Sequence, residues 1–179
     1  MKEALLYERL EDGRVRCQLC AHRCLIASGK TGICRVRENR EGTLYSLVYG
    51  LAISQAVDPI EKKPLFHFWP GSAAFSVATV GCNFRCTFCQ NADISQMPRD
   101  LGAIRGRDLA PEAIVSAARR YQCRSIAYTY TEPTIFFEYS YDIAQLAHRQ
   151  GMATVYVTNG YMTPEMLEMF TRATGPPLL

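Results

Sequence analysis

Hydrophobic and polar positions change their spacing near residue 74, and from there the chain alternates between two patterns. Residues 74–80 form an almost uninterrupted apolar run, which is typical of a parallel strand buried on both faces. Similar short runs rich in Tyr, Thr, Ile and Val predict strands at residues 125–131 and 153–157. Apolar residues three or four positions apart predict helices at residues 111–121, at residues 133–150 and from Pro164 onward. The pattern predicts an α/β fold of three successive strand–helix units with right-handed crossovers.

Polar or cysteine-rich loops follow each of the three predicted strands. Cys82, Glu132 and Asn159 each lie just beyond the strand that precedes them. In parallel α/β folds, ligands bind beyond the carboxyl ends of the strands. We therefore expect the three loops to share one site.

The first part of the chain has a different, shorter alternation. Residues 5–16 predict a two-stranded ribbon that turns at Asp12, and residues 43–49 predict a strand that continues through residues 51–57 after a glycine. We divide the chain into an N-terminal Cys-rich β region, residues 1–73, and a core of strand–helix units, residues 74–179.

Length, charge and cysteine usage narrow the possible classes of protein. The chain has 179 residues, a formal net charge of +3 and 48% hydrophobic residues, which suits one soluble domain with an appendage. The charge is too small to indicate a nucleic-acid partner, and we see neither a leader segment nor an unbroken apolar span for a membrane. Seven of the eight cysteines fall into two groups with metal-ligand spacing, so we expect the reducing cytoplasm.

The second cysteine group is the strongest chemical motif. Cys82, Cys86 and Cys89 are spaced CxxxCxxC in one loop directly after the first predicted strand of the core. An iron–sulfur cluster is normally held by four cysteines. Three thiolates leave one iron free to bind a small molecule, which is the arrangement of a reactive cluster.

This motif resembles that of the radical S-adenosylmethionine (radical SAM) enzymes. CxxxCxxC with an aromatic residue before the last cysteine, here Phe88, is the family's motif. Residues 58–68 (DPIEKKPLFHF) and the Cys89-Gln90-Asn91 sequence resemble the pyruvate formate-lyase activating enzyme-like proteins, and among them the AmmeMemoRadiSam-system enzymes. The resemblance extends from about residue 17 to residue 170. It implies a 4Fe–4S cluster held by the three cysteines and shielded by Phe88, with SAM bound at the open iron. The expected product is a 5′-deoxyadenosyl radical.

The resemblance also implies residues that hold SAM. Glu132 and Pro133 match the end of the family's Gly-Gly-Glu-Pro motif, and Thr131 and Glu132 would then bind the methionine ammonium. Tyr130 and Thr131 stand where the family has glycines. Asn159 matches the family's Asp-Thr-Asn-Gly motif and would contact SAM, although Val157 replaces the aspartate.

The same resemblance sets expectations for partners and for the length of the fold. An electron donor such as flavodoxin or ferredoxin would reduce the cluster, and hydrogen would be abstracted from an unidentified substrate, with a partner protein as one candidate. Related enzymes form a partial (βα) barrel of six units, whereas residues 74–179 leave room for about three. We therefore expect a C-terminally truncated partial barrel, and we predict no helical period in residues 171–179.

The first cysteine group has the spacing of a metal knuckle. It consists of a CxxC pair followed by two further cysteines, at positions Cys17, Cys20, Cys24 and Cys34. Four sulfur ligands can complete a tetrahedral site on a scaffold with little core of its own. Structural zinc, a second iron–sulfur cluster and free thiols all remain open.

Two other classes of function also remain open. A plain iron–sulfur electron carrier would need a fourth cysteine for the second group, and Cys123 is the remaining candidate, although we expect it to be a buried structural thiol. A zinc-ribbon-like module that binds nucleic acid or protein would use the first group alone, and the small net charge argues against it.

Overall fold

The computed structural model describes residues 1–174. The strands of the first part of the chain are β1 (Lys2–Glu3), β2 (Tyr7–Arg9), β3 (Val15–Cys17), β4 (Leu25–Ile26), β5 (Arg37–Arg40), β6 (Thr43–Ser46), β7 (Leu51–Ala52) and β8 (Ser54–Pro59). The later strands are β9 (Ala73–Ala78), β10 (Arg107–Asp108), β11 (Ser125–Tyr128) and β12 (Ala153–Tyr156). The helices are α1 (Ala92–Ser95), α2 (Met97–Asp100), α3 (Pro111–Arg120), α4 (Phe137–Arg149) and α5 (Pro164–Thr174).

The central sheet has the order β12-β11-β9-β8. Strands β9, β11 and β12 are parallel, with Ser125 aligned to Ala74 on one side and to Ala153 on the other. β8 runs antiparallel to β9 at the edge. Because the three parallel strands are in register, the loops that follow them emerge at the same edge of the sheet. The α/β architecture predicted from the pattern is confirmed, and it places the three predicted loops together.

The helices cover this sheet through their apolar faces. α3 buries Ile114, Val115 and Ala118, and α4 buries Phe137 and Ile143, each within the main hydrophobic cluster. Proline stands at the first position of α3, where its missing N–H needs no partner. The segment predicted as one helix at residues 133–150 has a 3-10 turn at Pro133–Phe136 before α4 begins.

The last helix begins at Pro164, as predicted, and Thr163 caps it. The Thr163 hydroxyl accepts a hydrogen bond from the backbone N–H of Met166 at 3.2 Å, and Met166 is buried. The helix continues to Thr174, so the prediction of no helical period is wrong for residues 171–174. Residues 175–179 of that prediction, and of the predicted core domain, lie outside the described residues.

The N-terminal β region packs directly against the strand–helix core. Its small sheets have the orders β1-β6-β5 and β2-β3-β4, and their buried residues, such as Val15 and Leu44, belong to the same hydrophobic cluster as Phe75 of β9. A buried ion pair crosses the boundary as well: the Arg37 guanidinium donates to both carboxylate oxygens of Glu138 on α4, at 2.7 and 2.8 Å. Along residues 1–174, none of the helices is long and apolar enough to cross a membrane.

Candidate functional site

The loop that carries the cysteine triad starts at a residue that has to be glycine. Gly81 follows β9 with φ of +102°, and a Cβ at this position would stand 2.8 Å from Val36 Cγ1 and 3.3 Å from the Cys34 carbonyl oxygen. Only glycine combines that backbone angle with such a close approach. The loop is therefore pressed against the N-terminal β region where it leaves the sheet.

The three thiols of this loop, which we call the triad loop (residues 81–91), differ in exposure. Cys86 is exposed, while Cys82 and Cys89 are half-buried, and none of the three is in a disulfide. The Phe84 backbone N–H donates to Cys82 Sγ at 3.4 Å, and Cys89 Sγ lies 3.4 Å from the Ser95 hydroxyl. Burial raises the pKa of the Cys82 thiol, the Phe84 N–H offsets part of that rise, and the nearby Glu132 charge adds to it.

Glu132 lies just beyond β11 and is 4% exposed. It joins the loop after β11, which we call the second loop, to the loop after β12, which we call the third loop. Its Oε1 accepts hydrogen bonds from the Thr134 backbone N–H and hydroxyl and from the Thr158 hydroxyl, at 2.6–3.0 Å. Its Oε2 accepts one hydrogen bond, from the Asn159 backbone N–H at 2.8 Å. A carboxylate oxygen has two lone-pair sites, so Oε2 can accept from one further donor.

Tyr130 replaces a glycine of the family motif and is held in a left-handed conformation, with φ of +66°. Its backbone carbonyl accepts from Asn91 Nδ2 at 3.0 Å, and its hydroxyl donates to Asp58 Oδ2 at 2.5 Å. These two anchors offset the strain that a non-glycine residue has at positive φ. The neighbouring Thr131 is buried, and its hydroxyl donates to the Thr79 carbonyl at 2.9 Å.

Asp58 collects an unusual number of donors at the edge of this site. Besides Tyr130, its carboxylate accepts from Lys62, Lys63 and Ser76, at 2.7–2.8 Å. Burial alone would raise the pKa of Asp58, but the hydrogen bonds from the two lysines and the tyrosine hold it well below its ordinary value. Asp58 is therefore a fixed negative charge that ties the DPIEKK segment to the second loop.

The third loop returns to the triad loop. Asn159 Nδ2 donates to Asn83 Oδ1 at 2.9 Å, and the Asn159 side-chain oxygen accepts from the Tyr161 backbone N–H at 3.0 Å. On the other side of Asn83, its backbone carbonyl lies 3.0 Å from His22 Nε2 of the N-terminal region. The His22 ring also stands edge-on to the Tyr161 ring, with 4.8 Å between the centroids.

Together these contacts close a ring of hydrogen bonds around the three loops. The first contact joins Asn91 to Tyr130, the second joins Glu132 to Asn159, and the third joins Asn159 to Asn83. Each of the three loops is thus tied to the other two. The expectation that the carboxyl-end loops would lie together is confirmed by this geometry.

The first cysteine group lies next to the triad loop. Its four cysteines and His22 line one small cavity, together with Arg37 of β5 and Asn83 of the triad loop. Burial raises the pKa of the Cys17, Cys20 and Cys34 thiols. Within residues 1–174, no group of three or more His, Cys, Asp or Glu side chains is already arranged to hold a metal ion. Nothing in the structure supports zinc specifically, so the second metal stays a prediction.

Two further predictions about side chains have different outcomes. Phe88, expected to shield the cluster, is 85% exposed. Cys123 is buried, as predicted, and it precedes β11 at the amino end, across the sheet from the triad loop. It is therefore badly placed to be the fourth ligand that a plain electron carrier would need.

Sequence reasoning missed the residues that hold the loops together. The sequence assigns no role to Asn83, and it presents Asn91 and Asp58 only as parts of motifs. Their partners are 39 to 76 positions away in the sequence. The one available signal is the occurrence of Asn83 and Asn91 within two residues of the outer cysteines of the triad, and that signal does not name a partner.

Comparisons with known proteins agree with the geometry. The model of the radical SAM superfamily matches residues 76–177. The uncharacterized protein MJ0808 of Methanocaldococcus jannaschii is 51% identical over 168 residues, which cover 94% of this chain and 50% of that protein. The uncharacterized protein MJ0674 of the same organism is 30% identical over 82 residues, covering 45% of this chain and 19% of that protein.

No solved structure matches the chain. The chain spans about half the length of MJ0808 and less of MJ0674. The family match covers the triad loop, β11, β12 and both loops that follow them. The chain belongs to the radical SAM superfamily.

Proposed function

We propose that this chain carries the cluster-binding part of a radical SAM enzyme of the activating-enzyme type, in which Cys82, Cys86 and Cys89 hold a 4Fe–4S cluster. When bound, the cluster supplies the electron that splits SAM to methionine and a 5′-deoxyadenosyl radical, which then abstracts hydrogen from the substrate. The AmmeMemoRadiSam subgroup stays a prediction.

The observation that carries this proposal is the closed ring of hydrogen bonds around the triad loop. Three thiols lie at the carboxyl edge of the three parallel strands, and the loops after β11 and β12 are fixed to the triad loop through Tyr130 and Asn159. A site assembled before its ligand binds loses less conformational entropy on binding. The geometry therefore favours a ligand that spans all three loops.

The donor set suits such a cluster. The three thiols are free, belong to one loop, and are exposed or half-buried, so iron and sulfide can reach them. Three ligands leave one iron without a protein ligand. In the part of the chain that the structure describes, the remaining cysteines are in the N-terminal cavity or at the opposite end of the sheet.

The neighbouring residues have the chemistry to orient a ligand with a positive and a polar end. Glu132 keeps one acceptor position at Oε2, and a buried carboxylate makes a strong, charge-assisted hydrogen bond to an ammonium group. The Thr131 hydroxyl oxygen can accept a second hydrogen bond while it donates to Thr79. The exposed Asn159 side chain borders the same space.

The proposed reaction requires partners outside this chain. A one-electron donor such as flavodoxin or ferredoxin would reduce the cluster, and the substrate would approach from the exposed side of the triad loop, where Cys86 and Phe88 lie. A partner protein is one candidate for that substrate. These partners rest on the family resemblance.

Anaerobic reconstitution of the chain with iron and sulfide tests the proposal. We expect about four iron atoms per chain beyond those bound by a variant without the three triad cysteines, a reduced cluster whose paramagnetic resonance spectrum changes when SAM is added, and 5′-deoxyadenosine as the product of SAM cleavage. Glu132→Gln should weaken the response to SAM and leave the iron content unchanged. Cys123→Ala is the matched cysteine control and should behave like the unmodified chain.

The outcomes separate the proposal from its rival. A cluster that forms but never responds to SAM would instead indicate an electron carrier. Unchanged cluster formation after removal of any triad cysteine would overturn the assignment of the ligands.

A further inference from the structure

The four cysteines of the first group come from three segments and meet at one cavity. Cys17 ends β3, Cys20 and Cys24 lie in the turn after it, and Cys34 lies between β4 and β5. All four line a cavity of about 10 Å³, which we call the N-terminal thiol cavity. All four are free thiols.

The size of this cavity discriminates between the possible occupants. A volume of about 10 Å³ corresponds to the space that one water-sized sphere occupies. One metal ion fits such a space, whereas a four-iron cluster with its sulfides is several times larger. A single ion therefore requires less rearrangement of the residues that line the cavity than a second iron–sulfur cluster would.

Two buried N–H donors that line the same cavity have no partner at hydrogen-bond distance among the described residues. They are Arg37 Nε and Asn83 Nδ2, and their residues are 1% and 2% exposed. The remaining Arg37 nitrogens are already bound to Glu138. A buried donor without an acceptor is destabilising, so an acceptor is expected to arrive. Metal-bound thiolates are acceptors of that kind, and donors in this position stabilise the ligands of a metal site.

We propose that the N-terminal thiol cavity binds one divalent metal ion of the zinc or iron(II) class through its four thiolates. Each thiol loses its proton on binding, and the four sulfur atoms move towards the centre of the cavity. Arg37 Nε and Asn83 Nδ2 then donate to the metal-bound sulfur atoms. A closed set of four thiolates is the arrangement of a structural site.

This site would also support the triad loop. Asn83 directly follows Cys82, its side-chain oxygen accepts from Asn159, and its backbone carbonyl lies 3.0 Å from His22 Nε2. His22 stands between Cys20 and Cys24 in the sequence. A metal ion held by Cys20 and Cys24 would fix the turn that carries His22, and with it the contact between His22 and the Asn83 carbonyl. Donation from Asn83 Nδ2 to a metal-bound sulfur atom would fix the Asn83 side chain as well. Loss of the ion should therefore loosen the triad loop.

Metal analysis of a variant without the triad tests the proposal independently of the cluster. In the full chain carrying Cys82→Ala, Cys86→Ala and Cys89→Ala, expressed with added zinc or added iron, we expect about one metal ion per chain and no sulfide. The metal content of the two preparations tells which ion is bound. Adding Cys20→Ser or Cys24→Ser should remove the ion, whereas Cys123→Ser should retain it.

A titration with Co²⁺ provides a readout that does not depend on recovery of the native metal. The metal-free triad variant should bind one Co²⁺ with the intense visible absorption of a tetrahedral tetrathiolate site. Absence of metal in both preparations together with absence of this spectrum overturns the proposal. Several iron atoms with sulfide would also overturn it, because a second cluster would then occupy the site.

The role of the buried donors has its own test. Asn83→Leu removes the Nδ2 donor without adding charge and should weaken Co²⁺ binding by about 10-fold to 100-fold. Asn91→Leu is the matched control, because it removes a side-chain amide from the other end of the triad loop, where the amide contacts Tyr130. Equal Co²⁺ affinity in the two variants would refute the role of Asn83.

Discussion

The two cysteine groups of this chain lie side by side yet have opposite designs. The triad loop presents three thiols at an open edge of the sheet, one of them exposed, and relies on neighbouring loops to hold it. The N-terminal thiol cavity, of about 10 Å³, is lined by four cysteines, none of them exposed, and by two buried donors. An incomplete ligand set at an open edge suits reactivity, whereas a complete and enclosed set suits structure.

The triad loop is in direct contact with the residues of the N-terminal thiol cavity. Gly81 approaches Val36 and Cys34, and Asn83 lines the cavity while it belongs to the triad loop. The two cysteine groups, which lie in different parts of the sequence, are therefore neighbours in the fold. The residues around the N-terminal thiol cavity form the surface against which the triad loop packs.

The largest expected effect separates the two regions by function. Cys86→Ala should abolish the reconstituted cluster, because two protein thiolates do not hold it securely. The free energy of unfolding of the metal-free chain should change by less than about 0.5 kcal/mol, because Cys86 is exposed. Iron and sulfide analysis and urea denaturation measure the two quantities.

Cys20→Ala is the reciprocal variant in this comparison. It should lower the thermal stability of the metal-loaded chain and leave a cluster able to form at the triad loop. If Cys20→Ala also eliminated the cluster, the cluster would depend on the N-terminal group, and the contrast between an independent reactive site and a structural site would fail.

The next largest effect concerns the buried ion pair beside the N-terminal thiol cavity, which joins Arg37 to Glu138. Arg37→Met should destabilise the fold by about 3–5 kcal/mol, because it leaves the Glu138 carboxylate buried without its partner. Arg40→Met is the matched control on the same strand. Its ion pair with Glu38 is largely exposed and should contribute at most about 1 kcal/mol. Urea denaturation of both variants measures the difference, and equal losses would contradict it.

A smaller effect is expected where the two regions touch. Gly81→Ala should destabilise the fold by about 1–3 kcal/mol, through positive φ and the close approach of Val36. Gly13 also has a positive φ, but nothing lies within 4 Å of the methyl group that an alanine would add. Gly13→Ala should therefore measure the destabilisation that comes from the backbone conformation alone. Adding Val36→Ala should recover part of the Gly81→Ala loss in a double-mutant cycle. A purely additive cycle would mean that the contact is unimportant.

The smallest expected effect is a change in the acid dependence of stability at the open site. The folded pKa of Asp58 lies below its unfolded value of about 3.9, so its contribution is fully present above that value and is lost as the pH falls. Between about pH 5 and pH 2, Asp58→Asn should therefore show a shallower fall in the free energy of unfolding. Burial acts to raise the pKa of Glu138, but the Arg37 charge holds it below its ordinary value. Because Glu138 is present in both proteins, its contribution to the pH profile is the same in both. Parallel profiles would contradict the role of Asp58.

Much of the fold could be read from local patterns in the chain. The strands at residues 74–80, 125–131 and 153–157 and the helix that starts at Pro111 are present within a few residues of their predicted bounds. Their periodicity reflects burial of one face, and burial is a local property of each segment. The alternation of strands and helices then brought the three loops to one edge, because a helical crossover returns the chain so that successive strands run parallel.

The spacing of the cysteines by itself divided them into two groups and predicted a metal-ligand role for each. It could not determine that Asn83 faces both groups, that Tyr130 is held by Asp58 and Asn91, or that Arg37 meets Glu138 across 101 positions. These contacts join segments that have no common period and no common motif. They form only when the packed core brings distant loops within hydrogen-bond reach, so the tertiary structure alone decided them.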